Sequence, residues 1–403
     1  MLGRLPAPLD DDFRTTLVEI ARAHRWPSVD EPAKLGPLVA SLAAAYNDDS
    51  RGKLPDARAL LAAKLGWSLP RDVAKSAAAV REAIALELLP RRDRLEVLDL
   101  GAGLGATHRG IARALDAAGW QTSLSVFAVD ADASAIALLE ELARARPSEG
   151  SVPIRLRAEA VPIDAKASTR KRDERFDLVL MGQVLSELDA GMEPAARVEA
   201  HVALIESLLR ETLKPDGVLV VVEPALRSRS RHLQALRGAL LGRQRPPRVL
   251  GPCLHTEACP LLVKDSDWCH DDLAVDLPPW LVPVARAAGL RFQGLTYSSL
   301  LLSWSAPSLR DRLGDRGGKL VRLVSAPMVT KGKREAWVCG DALDAQSPAA
   351  RGARLGLLDR HRGEATAAFG DAERGDLLSL THGVDDKGRI GPEHPLRAVS
   401  EPS

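Results

Sequence analysis

Aromatic residues make up only 3% of this 403-residue chain, and cysteine occurs four times. So few aromatics argue against recognition by stacking single-stranded bases on an aromatic sheet. Four unevenly spaced cysteines do not make a disulfide scaffold, and they point to a reducing compartment, the cytoplasm. An excess of one charge is missing too. With 55 basic against 54 acidic side chains the formal net charge is +1, so any nucleic-acid binding must come from a local patch. No apolar run approaches a membrane span, which excludes a membrane partner. The opening MLGRLPAPLDDDF carries early acids and no apolar core, unlike a secretory signal or an acid-poor transit peptide.

What is present divides in three. Residues 1–90 read as a helical region: VASLAAAY, ARALLAAKLGW and VAKSAAAVREAIALELL space apolar residues three and four apart. From Leu95 the pattern changes to short apolar runs, EVLDLGAGLG, SLSVFAVDAD, RFDLVLMGQ and DGVLVVVEP, with helical stretches between them. Buried parallel strands alternating with helices read this way, so residues 91–340 form an α/β unit with an insertion at 225–275. RFQGLTYSSLLLSW and REAWVCGD read as late strands returning to that sheet. Residues 341–403 form a small C-terminal extension with RLGLLDRH and GDLLSLTHG as short strands and a disordered end after about residue 390.

VLDLGAGLGATHRGIARAL is strand, glycine-rich turn and helix. Gly101, Gly103 and Gly105 let the backbone approach a ligand outside the carboxyl end of a strand. Asp130 ends the next strand, where an acid reaches both hydroxyls of a ribose. A dinucleotide-binding oxidoreductase gives a similar turn. The G-x-G-x-G spacing, Asp99 two residues before it, and the later runs FDLVLMGQVLSEL and LKPDGVLVVVEP together resemble the class I S-adenosylmethionine-dependent methyltransferases. The resemblance implies a Rossmann-like seven-stranded sheet and S-adenosylmethionine as cofactor. It places Asp99 and the three glycines along the methionine and adenosine moieties and Asp130 on the ribose. Gln183, Ser186 and Glu187 are candidates to face the methyl group, with capping of the next helix as the alternative for the last two. Glu159 is a candidate neighbour of the adenine or an ordinary strand-end carboxylate.

GPCLHTEACPLLVKDSDWCH, from Gly251, holds three of the four cysteines, Cys253, Cys259 and Cys269; the fourth, Cys339, is far away in AWVCGD. Soft thiolates in a set of four suit zinc or an iron–sulfur cluster, whereas free cysteines are otherwise small buried hydrophobes. The spacing lacks the paired C-x2-C of zinc ribbons. GPCLHTEACPL followed by DWCH, after a core containing VLSEL, resembles the mitochondrial small-ribosomal-subunit methyltransferase-like assembly factors and their bacterial relatives, over roughly residues 90 to 340. That resemblance implies a four-iron, four-sulfur cluster on the four cysteines, zinc being the alternative, and small-subunit ribosomal RNA as partner. His255 and His270 are then neighbours of the site or RNA-facing rather than ligands. DWCH is followed here by DDL, where the family has an aromatic and a basic residue.

Between Ala225 and Arg248 lie seven arginines and no acid. Guanidinium forks suit phosphate, so Arg227, Arg229, Arg231 and Arg237 are the candidate RNA contacts, with Lys331, Lys333 and Arg334 as a possible extension. The [D/N/S]-P-P-[F/Y/W] motif of amino-methylating enzymes is absent at MGQVLSEL, and Cys253, if it holds a metal, is unavailable as a nucleophile. Three readings stand: a methyltransferase acting on small-subunit ribosomal RNA, a non-catalytic assembly factor keeping the same fold, and a small-molecule methyltransferase with a structural metal.

Overall fold

A computed structural model describes residues 3–47, 56–145, 150–163, 174–314, 318–341, 352–381, 384–385, 387–392 and 396–399. The N-terminal region is helical as expected: α1 (Asp11–Ala23), α2 (Pro32–Asn47), α3 (Ala57–Ala63) and α4 (Leu69–Ala85). Alanine and valine fill α4, and small side chains let a helix be covered on several sides. It is buried from Leu69 to Ile84 on nearly every face, packed on α5 (Ala106–Ala117).

The central α/β sheet follows: β1 (Arg94–Leu100), β2 (Ser123–Asp130), β3 (Ile154–Ala160), β4 (Phe176–Gly182), β5 (Leu213–Glu223), β6 (Arg248–Gly251), β7 (Asp271–Asp276) and β8 (Gln293–Ser303). Helices α6 (Ala133–Ala145), α7 (Pro194–Ser207) and α8 (Arg227–Leu241) lie between its strands in sequence. Strand order is β3-β2-β1-β4-β5-β8-β6, with β7 on the other end of the long β8. The first five strands are parallel and β8 runs against β5. This is the doubly wound order, in which ligands bind beyond the carboxyl ends of the strands. The sheet has eight strands rather than the seven expected, because the cysteine segment ends in β7. Leu178, Val179, Leu180, Val218, Leu219 and Val220 are fully buried, consecutive positions on both faces, the pattern of strands covered on both sides.

RFQGLTYSSLLLSW returns to this sheet as β8, but REAWVCGD does not. It forms β11 (Lys333–Gly340) of a second, mostly antiparallel sheet with β9 (Lys319–Leu323), β10 (Met328–Thr330), β12 (Ala353–Leu358), β13 (Leu377–Leu380), β14 (Arg389–Ile390) and β15 (Leu396–Ala398). This sheet starts inside the range expected for the α/β unit. It has its own core around Val338, Leu355 and Phe369. The end expected to be disordered contributes β15, paired with β13; residues 400–403 lie outside the described residues. Among the described residues no helix is long and apolar enough to cross a membrane.

Candidate functional site

Gly101, Gly103 and Gly105 take φ of +68°, +52° and +83°, a region that L side chains resist. The backbone N–H groups of Gly101 and Ala102 donate to the Val129 carbonyl at 2.8 and 3.0 Å, which ties the turn to β2. The Gly103 N–H donates to Asp130 Oδ2 at 2.8 Å, and Asp132 N–H to Asp130 Oδ1 at 2.9 Å. A side chain added at Gly103 would meet nothing within 4 Å, whereas at Gly105 it would strike the His108 ring.

Asp99 departs from expectation. It is fully buried, its Oδ2 lies 2.7 Å from His108 Nδ1, and it is not part of the cavity wall. His108 stands in the first turn of α5 and holds the carboxylate beneath the glycine turn. Burial lowers the His108 pKa, against the pull of Asp99. Glu159 is exposed on the edge strand β3 and also lies outside the cavity, which Pro162 and Ile163 line instead.

The cavity measures about 680 Å³, and its floor is the chain from Gly101 to Leu104 with Asp130 and Gln183. Its other wall was not foreseen. Tyr46 of α2, Leu60 of α3, Trp67, and Arg71, Asp72 and Lys75 of α4 all face it. Asp72 accepts from Lys75 Nζ at 2.9 Å and Arg71 Nε at 3.3 Å, and its second oxygen accepts from Gln183 Nε2. Burial, then the nearby Arg71, pushes the Lys75 ammonium down to about 8, although Asp72 opposes this. Burial raises the Tyr46 phenol, with Glu187 and its hydrogen bond adding to the effect. One sequence signal was available: an Asp and a Lys three apart in an alanine-rich helix need a reason to be there.

The segment after β4 is held from both sides. Glu223, ending β5, accepts from the N–H groups of Leu185 and Ser186 at 2.9 and 3.1 Å, and burial pushes its carboxyl up to about 8. Arg197 of α7 donates to the carbonyls of Leu185 and Leu188 at 2.6 and 2.8 Å. Ser186 Oγ donates to the Gln183 carbonyl at 3.0 Å, a bond within the turn and not a cap on α7, which begins at Pro194. Gln183 itself sits at φ +61°.

The cysteines come together. Cys253, Cys269 and Cys339 line one cavity of about 40 Å³. Cys259 is close enough to raise the thiols of Cys269 and Cys339, and all four are free. Burial is the main cause in each case and puts the Cys339 thiol at about 12. His255 Nε2 lies 3.2 Å from Cys339 Sγ. Among the described residues no group of three or more His, Cys, Asp or Glu is arranged to hold a metal ion.

Two of the arginines expected to face RNA face this loop instead. Arg237 is 1% exposed and donates to the carbonyls of Glu257, at 2.8 Å, and His255. Arg231 donates to the carbonyls of Lys264 and Asp267 at 2.7 and 2.8 Å and to those of Leu261 and Leu262. Arg322 and Arg374 bond the carbonyls of Pro252 and His270. The loop has little secondary structure of its own, and these guanidinium forks supply its missing hydrogen bonds. The acid-free segment also meets acids from elsewhere: Glu199 pairs with Arg243 and Asp311 with Arg248. Arg227 is exposed, while Arg229 reaches the large cavity. Arg334 donates to the Ala372 carbonyl and Lys333 pairs with Glu335.

No curated protein sequence matches the chain. Among solved structures, a precorrin-6y C5,15-methyltransferase from Geobacter metallireducens is 16% identical, with a TM-score of 0.30 over 55% of this chain and 87% of its own. An S-adenosylmethionine-dependent methyltransferase from Methanosarcina mazei is 18% identical, at 0.28 over 52% and 92%. The plantazolicin methyltransferase BpumL, solved with S-adenosylhomocysteine, is 11% identical, at 0.34 over 69% and 99%. Likenesses this distant carry no argument about chemistry. The family model described as mitochondrial small ribosomal subunit Rsm22 matches residues 75–350, more than half of the sequence, and spans the glycine turn and all four cysteines; the chain belongs to the Rsm22 family.

Proposed function

We propose that this protein binds S-adenosylmethionine in the large cavity and acts on or with small-subunit ribosomal RNA, in assembly of the small ribosomal subunit or in translation. Membership of the Rsm22 family carries the ribosomal part. The glycine turn and Asp130 on the floor of a 680 Å³ cavity carry the ligand part. That volume falls within the ~300–1,000 Å³ of ordinary small-molecule sites. Two backbone N–H groups bind Asp130, and a carboxylate has room for about four donors, which leaves places for two ribose hydroxyls. Gly101, Gly103 and Gln183 would lie along the rest of the ligand. Calorimetric titration with S-adenosylmethionine tests this, and no binding to the folded protein would refute it.

The four cysteines would hold a four-iron, four-sulfur cluster, with zinc as the alternative. The fit rests on the donor set: four free thiols, three of them lining a cavity of about 40 Å³ and Cys259 close by, beside the cations Arg237 and Arg322. One water needs only ~10–15 Å³, so the cavity is larger than a single water site. Bound there, the cluster would draw off the thiol protons and join Cys339 of the second sheet to the loop. Iron and sulfide near four each per chain, lost in Cys339→Ser, are the expected analysis of anaerobically purified protein. Zinc alone would establish the alternative.

A second reading is that the protein is a non-catalytic assembly factor. Its support is that Gln183 and Ser186, after β4, bond to Asp72 and to the local backbone. Transfer of a labelled methyl group to small-subunit RNA under single-turnover conditions separates the two readings.

A further inference from the structure

The cavity has two ends that differ in charge. The sheet order puts β2 and β4 on opposite sides of β1, so Asp130 and Gln183 flank the glycine turn. A nucleoside whose ribose sits on Asp130 and whose chain crosses the glycines brings its other end to Gln183. Helix α4 enters the cavity wall there.

At that point Asp72 and Lys75 are 7% and 6% exposed. A charge this deep needs partners. Asp72 has three, Lys75, Arg71 and Gln183. Asp72 takes one of the three N–H donors that a lysine ammonium offers. Arg71 lies over the Trp67 ring at 5.3 Å, which restrains its guanidinium. Two cations thus stand beside the Asp72 carboxylate, while Glu187, the other acid on this part of the wall, is hydrogen-bonded to Tyr46 of α2.

We propose that Lys75, assisted by Arg71 and positioned by Asp72, seats the carboxylate of the amino-acid tail of the ligand, so that the cavity selects nucleoside sulfonium or thioether ligands bearing an α-amino acid over nucleosides without one. The proposal rests on the reading of the cavity as an S-adenosylmethionine site. The competing account makes Lys75 only the counterion of Asp72, with no part in binding.

Titration of the full chain with two probes separates these accounts. S-adenosylhomocysteine carries the amino-acid tail; 5′-methylthioadenosine keeps the adenosine and the sulfur without it. Wild type is expected to prefer S-adenosylhomocysteine. Lys75→Met should cost it about 10- to 100-fold in affinity, the scale of one or two charge-assisted hydrogen bonds, and leave methylthioadenosine within about twofold. Lys75→Arg should restore most of the preference. Retained methylthioadenosine binding also shows that the variant is folded. Equal loss of both probes, or unchanged S-adenosylhomocysteine affinity, would overturn the proposal. Equal affinity of wild type for both would overturn it too and leave the nucleoside site standing. Failure of wild type to bind either probe would remove the S-adenosylmethionine reading itself.

Discussion

Asp72, near the start of α4, accepts a hydrogen bond from the side-chain amide of Gln183, the residue that leaves β4. The two are 111 positions apart in sequence, yet this bond fastens the N-terminal helices to the edge of the sheet that floors the cavity. The helices are therefore part of the site wall. The bond also fixes the side chain of a residue held at φ +61°.

Asp72→Asn tests that role. It removes the charge that Lys75 is buried against, and breaking a buried pair costs about 3–5 kcal/mol. Lys75 has a folded pKa lowered to about 8 from 10.5. The charged lysine therefore destabilises the fold below pH 8, and the cost is relieved as pH rises and the lysine sheds its proton. Urea unfolding should show the largest deficit of Asp72→Asn near pH 7 and a smaller one near pH 9.5. The double variant with Lys75→Met should recover much of the loss at both. A deficit that does not change with pH would mean that Lys75 is not the group left unpaired.

Asp130 and Asp99, one candidate cofactor-binding set in the sequence, sit differently: Asp130 lines the cavity, and Asp99 is buried against His108. Asp130→Ala removes the acceptor of the Gly103 N–H as well as the proposed ribose contact, and should lower S-adenosylmethionine affinity by at least about 100-fold. The melting temperature should move by only a few degrees, because Asp130 is only partly buried. His108→Ala should do the opposite. It leaves the fully buried Asp99 without its partner and should reduce stability by about 3 kcal/mol. Calorimetry alongside denaturant melts distinguishes the pair.

Much of this was legible in the sequence, for local reasons. The glycine turn and the buried strands impose their geometry on their own residues, so LDLGAGLG and the Val- and Leu-rich runs announce them. Side-chain direction on α8 was harder to read. Arg231 and Arg237 count toward a basic patch in one dimension, but Arg237 lies four positions after Leu233 and three before Leu240, on the buried stripe of the helix. That spacing was the available clue. Cys339 was expected to join the other cysteines by a strand returning to the first sheet. It does so from a separate sheet, where it pairs with Arg322 in register, and no local pattern encodes which sheet a late strand joins.

Arg237→Ala and Arg227→Ala should therefore behave differently. Arg237 is buried and bonds two loop carbonyls, so its loss should cost about 2–4 kcal/mol and loosen the cysteine loop. The exposed Arg227 should leave the melting temperature unchanged. If it contacts small-subunit RNA, its loss lowers affinity and reduces the slope of log affinity against log salt by about 0.7. RNA binding of Arg227→Ala equal to wild type at several salt concentrations would remove that residue from the interface.

Glu223 adds a pH dependence to stability. Its folded pKa, raised to about 8 from 4.5, means that the folded state holds a proton which the unfolded chain has released over that interval. The resulting stabilisation is fully present below pH 4.5 and is lost as pH rises through 8. Glu223→Gln keeps one carbonyl acceptor for the Leu185 and Ser186 N–H groups and cannot ionise. Its stability should change less between pH 5 and 8 than that of wild type. Parallel slopes for the two proteins would show that Glu223 does not hold a proton there.

Ligand binding should carry its own pH signature, from Lys75. The charged groups around it are Arg71 and Asp72 on its own helix; Asp130 and Glu187 contribute carboxylates to the cavity and Tyr46 a phenol. Burial and Glu187 raise the phenol, so Tyr46 stays neutral through the working range. Lys75 loses its charge near pH 8, and a neutral amine is a much weaker partner for a carboxylate. S-adenosylhomocysteine affinity should therefore fall about tenfold between pH 7 and 9.5, while that of methylthioadenosine stays level. Glu223 also changes charge near pH 8, beneath the turn at Leu185 and Ser186, so the measurement needs Glu223→Gln beside wild type. A fall that persists in Glu223→Gln and is absent in Lys75→Arg assigns the titration to Lys75, because a guanidinium keeps its charge across the whole range. A fall that disappears in Glu223→Gln would move the pH sensitivity to the turn after β4.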